Sequence, residues 1–182
     1  MCGWGVDRLR HWTVQWRGFA MTPDGIAAHA RALLDANPFL VLSTVDRDGR
    51  PWTSPVYFAA SGLRELYWTS RTDTLHSGNL TERPNVSIVV FDSSVRPFHG
   101  RALYAVGTAG EVKDDELERG LQVYPGPGDR GGTTLTREDV TGPSPYRLYR
   151  ATVTDVWVLC PREPGQPCPL HGLAHDHRTR VD

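Results

Sequence analysis

The stretch ELYWTSRTDTLHSGNL, residues 65–80, carries the side chains best suited to chemistry. An apolar strand runs directly into a polar turn holding Thr69, Ser70, Arg71 and His76, at the start of a helical segment. Such a junction suits a phosphate. Two hydroxyls supply hydrogen bonds, Arg71 supplies a planar bidentate donor, and the free N–H groups of a helix start face the same anion. His76 lies within reach as a further donor. The same residues also make an ordinary capped helix start with solvated charges, and this stretch alone does not separate the two readings.

The preceding strand, PWTSPVYFAA at 51–60, shifts the balance. Pro51 and Pro55 interrupt the donor row of an otherwise buried-looking strand, so it cannot be paired along both sides, and some backbone is left free. A flavin ring fits that vacancy. Its pyrimidine edge needs backbone donors and acceptors, and its xylene edge needs walls such as Trp52, Tyr57 or Trp68. A proline-protected edge strand is the plainer alternative.

These residues need elements to hold them. Thr22, Pro23 and Asp24 form a helix-start signal. Ile26, Ala30, Leu33 and Leu34 then recur at helical spacing until Asn37-Pro38, which predicts a short lid helix. Strands are expected at 40–45, 51–60, 63–70, 85–92, 101–112 and 146–159, with Gly49 turning the first hairpin and helical turns at 71–84 and 114–124. Residues 125–145 are dense in Pro and Gly, the composition of a functional lid or a disordered connection. At least six strands with few helices between them exclude a doubly wound parallel sheet and leave a mainly β, antiparallel barrel.

With 182 residues, the chain suits one domain. The expected division is an N-terminal extension outside the fold at 1–20, a barrel domain at 21–160 and a polar tail at 161–182. The formal net charge of -1 offers no broad basic field, which argues against nucleic acid as partner. No apolar run is long enough to span a bilayer or serve as a signal peptide, and three scattered cysteines make no disulfide scaffold. A reducing, cytoplasmic setting is the expectation.

The order LVLSTVDRDGRPWTSPVYFAA, LYWTSRTDTLHSGNLTERPNVSIVVFD and YAVGTAGEV resembles the pyridoxamine 5'-phosphate oxidase-like split-barrel superfamily, over roughly residues 24–112 and more loosely in the last long strand. The resemblance implies a split antiparallel β-barrel and an oxidoreductase using FMN, with deazaflavin as the alternative cofactor. It sets Thr53, Ser54, Pro55 and Val56 along the isoalloxazine ring. Trp68, Thr69, Ser70 and Arg71 lead to the ribityl phosphate, His76 stands where many relatives have a phosphate-directed lysine, and Asn79 begins the usual Asn-Leu pair. An imidazole is a weaker cation than that lysine at neutral pH. The resemblance also implies a homodimer with cofactor sites at the interface. True pyridoxamine phosphate oxidases carry a C-terminal arginine and histidine segment that WVLCPREPGQPCPLHG does not match, so the substrate is expected to be another small molecule. The substrate and the electron donor are not named by these residues.

No Ser-His-Asp, Cys-His or paired-carboxylate set stands out, which counts little because a flavin carries its own chemistry. A non-enzymatic flavin- or haem-binding protein is the rival, with His76 or His99 as haem ligand. In the tail, Cys160, Cys168, His171, His175 and His177 are residue types that zinc takes, but their spacing matches no strong zinc pattern. They read as surface residues, with no metal site expected.

Overall fold

The computed structural model describes residues 22–96, 99–113 and 115–182, so the expectations for residues 1–20 lie outside the described residues. Helix α1 spans Pro23–Ala36 and starts as its sequence demands: Thr22 Oγ1 accepts from the Gly25 N–H at 3.2 Å. Asn37 is already extended in front of Pro38, which ends the helix. Ile26, Ala30, Leu33 and Leu34 form its buried face.

Eight strands follow: β1 Phe39–Val45, β2 Pro51–Tyr57, β3 Ala59–Ser61, β4 Glu65–Arg71, β5 Asn85–Phe91, β6 Ala102–Glu111, β7 Tyr146–Leu159 and β8 Arg178–Arg180. Two more helices, α2 Leu75–Glu82 and α3 Asp115–Val123, punctuate them. Every pairing is antiparallel, in the order β2-β1-β5-β6-β7-β4-β3, with β8 added to β7. The sheet curls into the half-barrel of a split-barrel fold. Gly107 serves that curvature at a bulge between Val106 and Gly107, where a Cβ would meet the Thr152 carbonyl oxygen at 2.1 Å.

Period-two alternation sorts the side chains. Leu40 and Leu42 of β1, Leu66 and Trp68 of β4, Ile88 and Val90 of β5, Leu103 of β6, and Val156 and Val158 of β7 point inward with the buried face of α1. On the opposite face of β4 and β7, Tyr67 and Leu148 pack with Leu117, Leu121, Tyr124 and Val140 under α3.

Three expectations change. The predicted strand at 51–60 is two strands, because Phe58 turns its N–H to the Pro38 carbonyl at 3.1 Å. The 125–145 connection is tied down: Tyr57 donates to the Pro125 carbonyl, Arg130 donates to the Asn37 carbonyl and stacks on Phe58, and Val140 is buried. The tail also docks, since β8 pairs with β7 and Val181 joins the main core. Among the described residues, no helix is long and apolar enough to cross a membrane.

His29, on α1, is buried, and burial followed by the charge of Arg101 lowers its pKa to about 4. An unfolded histidine titrates near 6.5, so between these values the unfolded chain binds the proton more tightly. Stability is therefore full above about pH 6.5 and declines as pH falls towards 4, by about 3 kcal/mol at that end. The melting temperature should drop between pH 7 and 4.5, and His29→Gln should flatten the drop. An unchanged slope in that variant would remove His29 as its source.

Candidate functional site

His76 enters the first turn of α2 and reaches two strands at once. Its Nδ1 is 3.1 Å from Ser54 Oγ on β2, and its Nε2 is 2.7 Å from Ser70 Oγ on β4. The chain of bonds extends both ways. Trp52 Nε1 lies 3.1 Å from Ser54 Oγ, Ser70 Oγ lies 3.2 Å from Thr74 Oγ1, and Thr74 Oγ1 lies 3.0 Å from the Arg71 carbonyl. An indole can only donate, and a backbone carbonyl can only accept. A direction that satisfies every member runs from Trp52 through Ser54, His76 and Ser70 to Thr74, whose hydroxyl donates to the Arg71 carbonyl or to Ser77 Oγ at 2.9 Å, with the imidazole neutral and protonated on Nε2. Burial, which pushes the His76 pKa down, favours the same neutral form.

Strand β2 is an edge, pairing only with β1 among the described strands. Because the Phe58 N–H bonds to the Pro38 carbonyl, positions 52, 54 and 56 bond to β1, and positions 51, 53, 55 and 57 turn their backbone away from it. Both prolines sit at outward positions, where no ladder donor is lost. Between the two prolines this leaves the Thr53 N–H flanked by the carbonyls of Pro51, Thr53 and Pro55. Residues 51–53 and Pro55 are exposed.

Arg71 closes β4 in the open. Asp73 takes two of its five N–H donors, Nε at 2.9 Å and Nη2 at 2.6 Å, and raises its pKa while lowering its own. Tyr146 also interacts with the guanidinium and raises its pKa further, and the turn after Arg71 leads into α2, whose leading amides have no partner within the helix. An open depression of about 290 Å³ lies nearby, with Glu111, Lys113, Arg137 and Arg147 among its walls, but none of the candidate residues lines it.

The residues singled out from sequence thus separate. Ser54, Ser70 and His76 come together in one bonded chain, with Arg71 at its end. Thr53 and Pro55 lie on the outward face of β2, and Thr53 meets Ser43 at 3.3 Å. Val56 and Trp68 point into the core, Trp68 stacked on Tyr149 with ring centroids 5.8 Å apart. Thr69 faces α3 and meets Tyr124 Oη at 2.8 Å. Asn79 is buried and donates to Thr44 Oγ1 at 3.0 Å, which fastens α2 to β1. Sequence reasoning did not single out Thr74, although a threonine ahead of a helix start signals a cap: its Oγ1 accepts from the Ser77 N–H.

The outer face of the sheet is apolar in a straight line. Pro55, Val41, Val89, Tyr104 and Trp157 are successive cross-strand partners on β2, β1, β5, β6 and β7. None is buried, and Phe39 and Phe91 beside this row are about half exposed, at 58% and 48%.

The family model for pyridoxamine 5'-phosphate oxidase matches residues 26–160. No curated protein matches the chain. Among solved structures, a haem-binding protein from Mycobacterium smegmatis superposes with TM-score 0.63 at 18% identity, over 86% of this chain and 58% of that one. The chain thus spans little more than half the length of that protein. HutZ, a haem storage protein from Vibrio cholerae, superposes with TM-score 0.55 at 21% identity, over 71% of this chain and 90% of its own. A protein related to general stress protein 26, of the pyridoxinephosphate oxidase family, from Clostridium acetobutylicum gives TM-score 0.59 at 12% identity, covering 88% and 97%. At these identities the likenesses carry the fold alone. The family model spans most of the chain and agrees with the observed strand order: this chain belongs to the pyridoxamine 5'-phosphate oxidase family.

Proposed function

We propose that this protein binds FMN along β2 and at the Arg71 turn, at the interface of a homodimer, and acts as an oxidoreductase on a small molecule. The observation that carries this reading is the outward backbone of an exposed edge strand beside an exposed arginine at a helix start. FMN, when bound, supplies the electron and hydride chemistry. The chain's own residues hold and orient. Arg71 and the α2 amides take the phosphate, and the Thr53 N–H and its flanking carbonyls take the ring's polar edge. Deazaflavin is the variant cosubstrate, because a neutral His76 gives the phosphate no cation.

The second subunit covers the apolar row from Pro55 to Trp157. A ring lying on an open strand would stay in water, and a second copy seated on that row excludes it. The haem reading has less support here. Both nitrogens of His76 are already bonded to serines, which removes the buried candidate for axial ligand, and His99 is exposed.

Titration of the purified protein with FMN, deazaflavin and haemin, with its mass followed in solution, tests the whole reading. The expected result is a dimer that binds FMN and undergoes reduction and reoxidation. A monomer that binds neither flavin would refute it, and a haem spectrum would favour the non-enzymatic rival. Val89→Lys, at the centre of the row, should give monomers with weakened FMN binding.

Arg71→Ala separates phosphate from ring. Charge-assisted hydrogen bonds contribute about 1.5–3 kcal/mol, so FMN affinity should fall on the order of tenfold or more while riboflavin affinity holds. Equal losses for both ligands would take Arg71 out of the phosphate site.

A further inference from the structure

The tail gathers four metal-type ligands that are scattered in sequence. Cys160 directly follows β7, Cys168 and His171 sit on one tight turn, and His177 leads into β8. Backbone bonds enforce the meeting. The register Leu159↔Arg178 brings Cys160 opposite His177, and the Cys160 N–H donates to the His177 carbonyl at 2.9 Å. Gly172, at φ 70°, donates its N–H to the Cys168 carbonyl at 2.7 Å, and the Cys168 N–H donates to the Leu173 carbonyl at 2.8 Å. The Arg162–Asp176 ion pair, at 2.6 Å, clasps the loop between them.

As a result Cys160 Sγ, Cys168 Sγ, His171 Nδ1 and His177 Nε2 all lie within 4.8 Å of one another. We propose that these four atoms form a structural zinc site that fastens the tail to the end of β7.

A tetrahedral zinc has bonds of about 2.3 Å to sulfur and about 2.0–2.1 Å to nitrogen, which sets sulfur–nitrogen edges near about 3.5 Å and nitrogen–nitrogen edges near about 3.3 Å. The sulfur–nitrogen edges to His171 are 3.5 and 3.6 Å, the nitrogen–nitrogen edge is 3.1 Å, and both sulfurs lie within 4.8 Å of the His177 nitrogen. The two sulfurs, 3.0 Å apart, open by less than about 1 Å to reach the tetrahedral edge. Both cysteines are free and buried, at 4% and 1% exposure.

The histidine tautomer agrees. His177 Nδ1 is 2.9 Å from the His175 carbonyl, which fixes the proton on Nδ1 and leaves the Nε2 lone pair directed at the cluster. Two thiolates and two imidazoles are the donor set of closed structural zinc sites. Four protein ligands leave no open position for substrate, so the ion's work is cohesion. A Pro- and Gly-broken segment with few apolar residues needs such a staple, because it cannot bury enough surface alone.

The test uses the full, untagged chain, purified under reducing conditions, with metal measured by elemental analysis. About one zinc per chain is expected, matching the one four-ligand set among the described residues. Cobalt added to chelator-stripped protein should give the visible bands of a tetrahedral ion together with thiolate charge transfer. Cys168→Ser and His171→Ala should each weaken zinc by more than the roughly 10- to 100-fold that loss of an outer partner costs. His175→Ala should keep it, since only that residue's carbonyl is used. Chelation of the wild-type chain should expose 161–177 to protease while the barrel stays folded, a readout that needs no variant. A wild-type chain that takes up neither zinc nor cobalt overturns the proposal. So does a chain two hydrogens lighter by mass under native redox conditions, which would make the cysteine pair a disulfide.

Discussion

The Ser54–His76–Ser70 bridge joins the two ends of the sheet, and the candidate site depends on it. Strand β2 stands at one end of the strand order, and β4 stands next to the other. Hydrogen-bonded ladders hold each strand to its neighbours but do not fix how far the curl brings the ends together. One imidazole from α2, bonded at both nitrogens, does that. Its energy is modest, since a neutral hydrogen bond contributes about 0.5–1.5 kcal/mol net. The interior dominates stability, where each fully buried Leu, Ile or Val contributes about 1.5–3 kcal/mol. That apolar term is non-directional, so the serines and the histidine choose the geometry. Because β2 and the Arg71 turn are the two halves of the candidate site, the same bridge sets the distance between them.

The bridge also explains why histidine is compatible with a position that the family resemblance gives to lysine. A lysine there could carry charge to an anion but could not accept from Ser54. The imidazole exchanges that charge for a second hydrogen bond, and burial keeps it neutral. Positive charge at the turn then rests on Arg71, which Asp73 orients without using all its donors. Elsewhere the fold leaves two demands open within one chain: the outward backbone of β2, and the apolar row from Pro55 to Trp157. They meet at Pro55, whose backbone faces the edge while its ring belongs to the row. A second subunit seated on the row, as proposed, would therefore reach the border of that outward backbone.

Local signals in the sequence located elements bounded by strong punctuation. Thr22-Pro23 and Asn37-Pro38 bracket α1, and the strand at 146–159 was legible at both ends because proline-rich segments flank it. The split of 51–60 was not legible, since Tyr57, Phe58 and Ala59 continue the apolar run and only the bond from Phe58 to Pro38 breaks it. Strand β8 was hidden for a different reason. Arg-Thr-Arg has no apolar alternation, and its pairing with β7 is long-range. In the site, residue types at 69–76 pointed to the right turn, but alternation within a strand separates neighbours. Thr69 and Ser70 lie on opposite faces, as do Thr53 and Ser54. The partner of His76 lies 22 positions back on another strand, beyond any local pattern. The tail ligands follow Cys-x7-Cys-x2-His-x5-His, a spacing that becomes a cluster only once β8 has turned back along β7.

That return has a consequence for the outer face. Trp157, the last member of the apolar row, is paired with Arg180 of β8, and the Arg178 guanidinium lies 4.0 Å above the ring of Tyr104. Arg180 is held in turn by Asp155 at 2.5 Å. The tail thus ends the apolar row with a charged rim, and charge on an edge strand discourages further strands from adding there. In the proposed dimer, a partner subunit would meet a face bounded by β2 with its two prolines on one side and by the arginines of β8 on the other. Both borders resist edge-to-edge pairing, so the proposed association would be directed onto the face of the sheet, over the row and beside the outward backbone of β2. The Cys–His cluster, by fixing where β8 begins, fixes one of those borders. Tail and bridge therefore act on opposite sides of the same face, each setting by local chemistry a boundary that the apolar core leaves undefined.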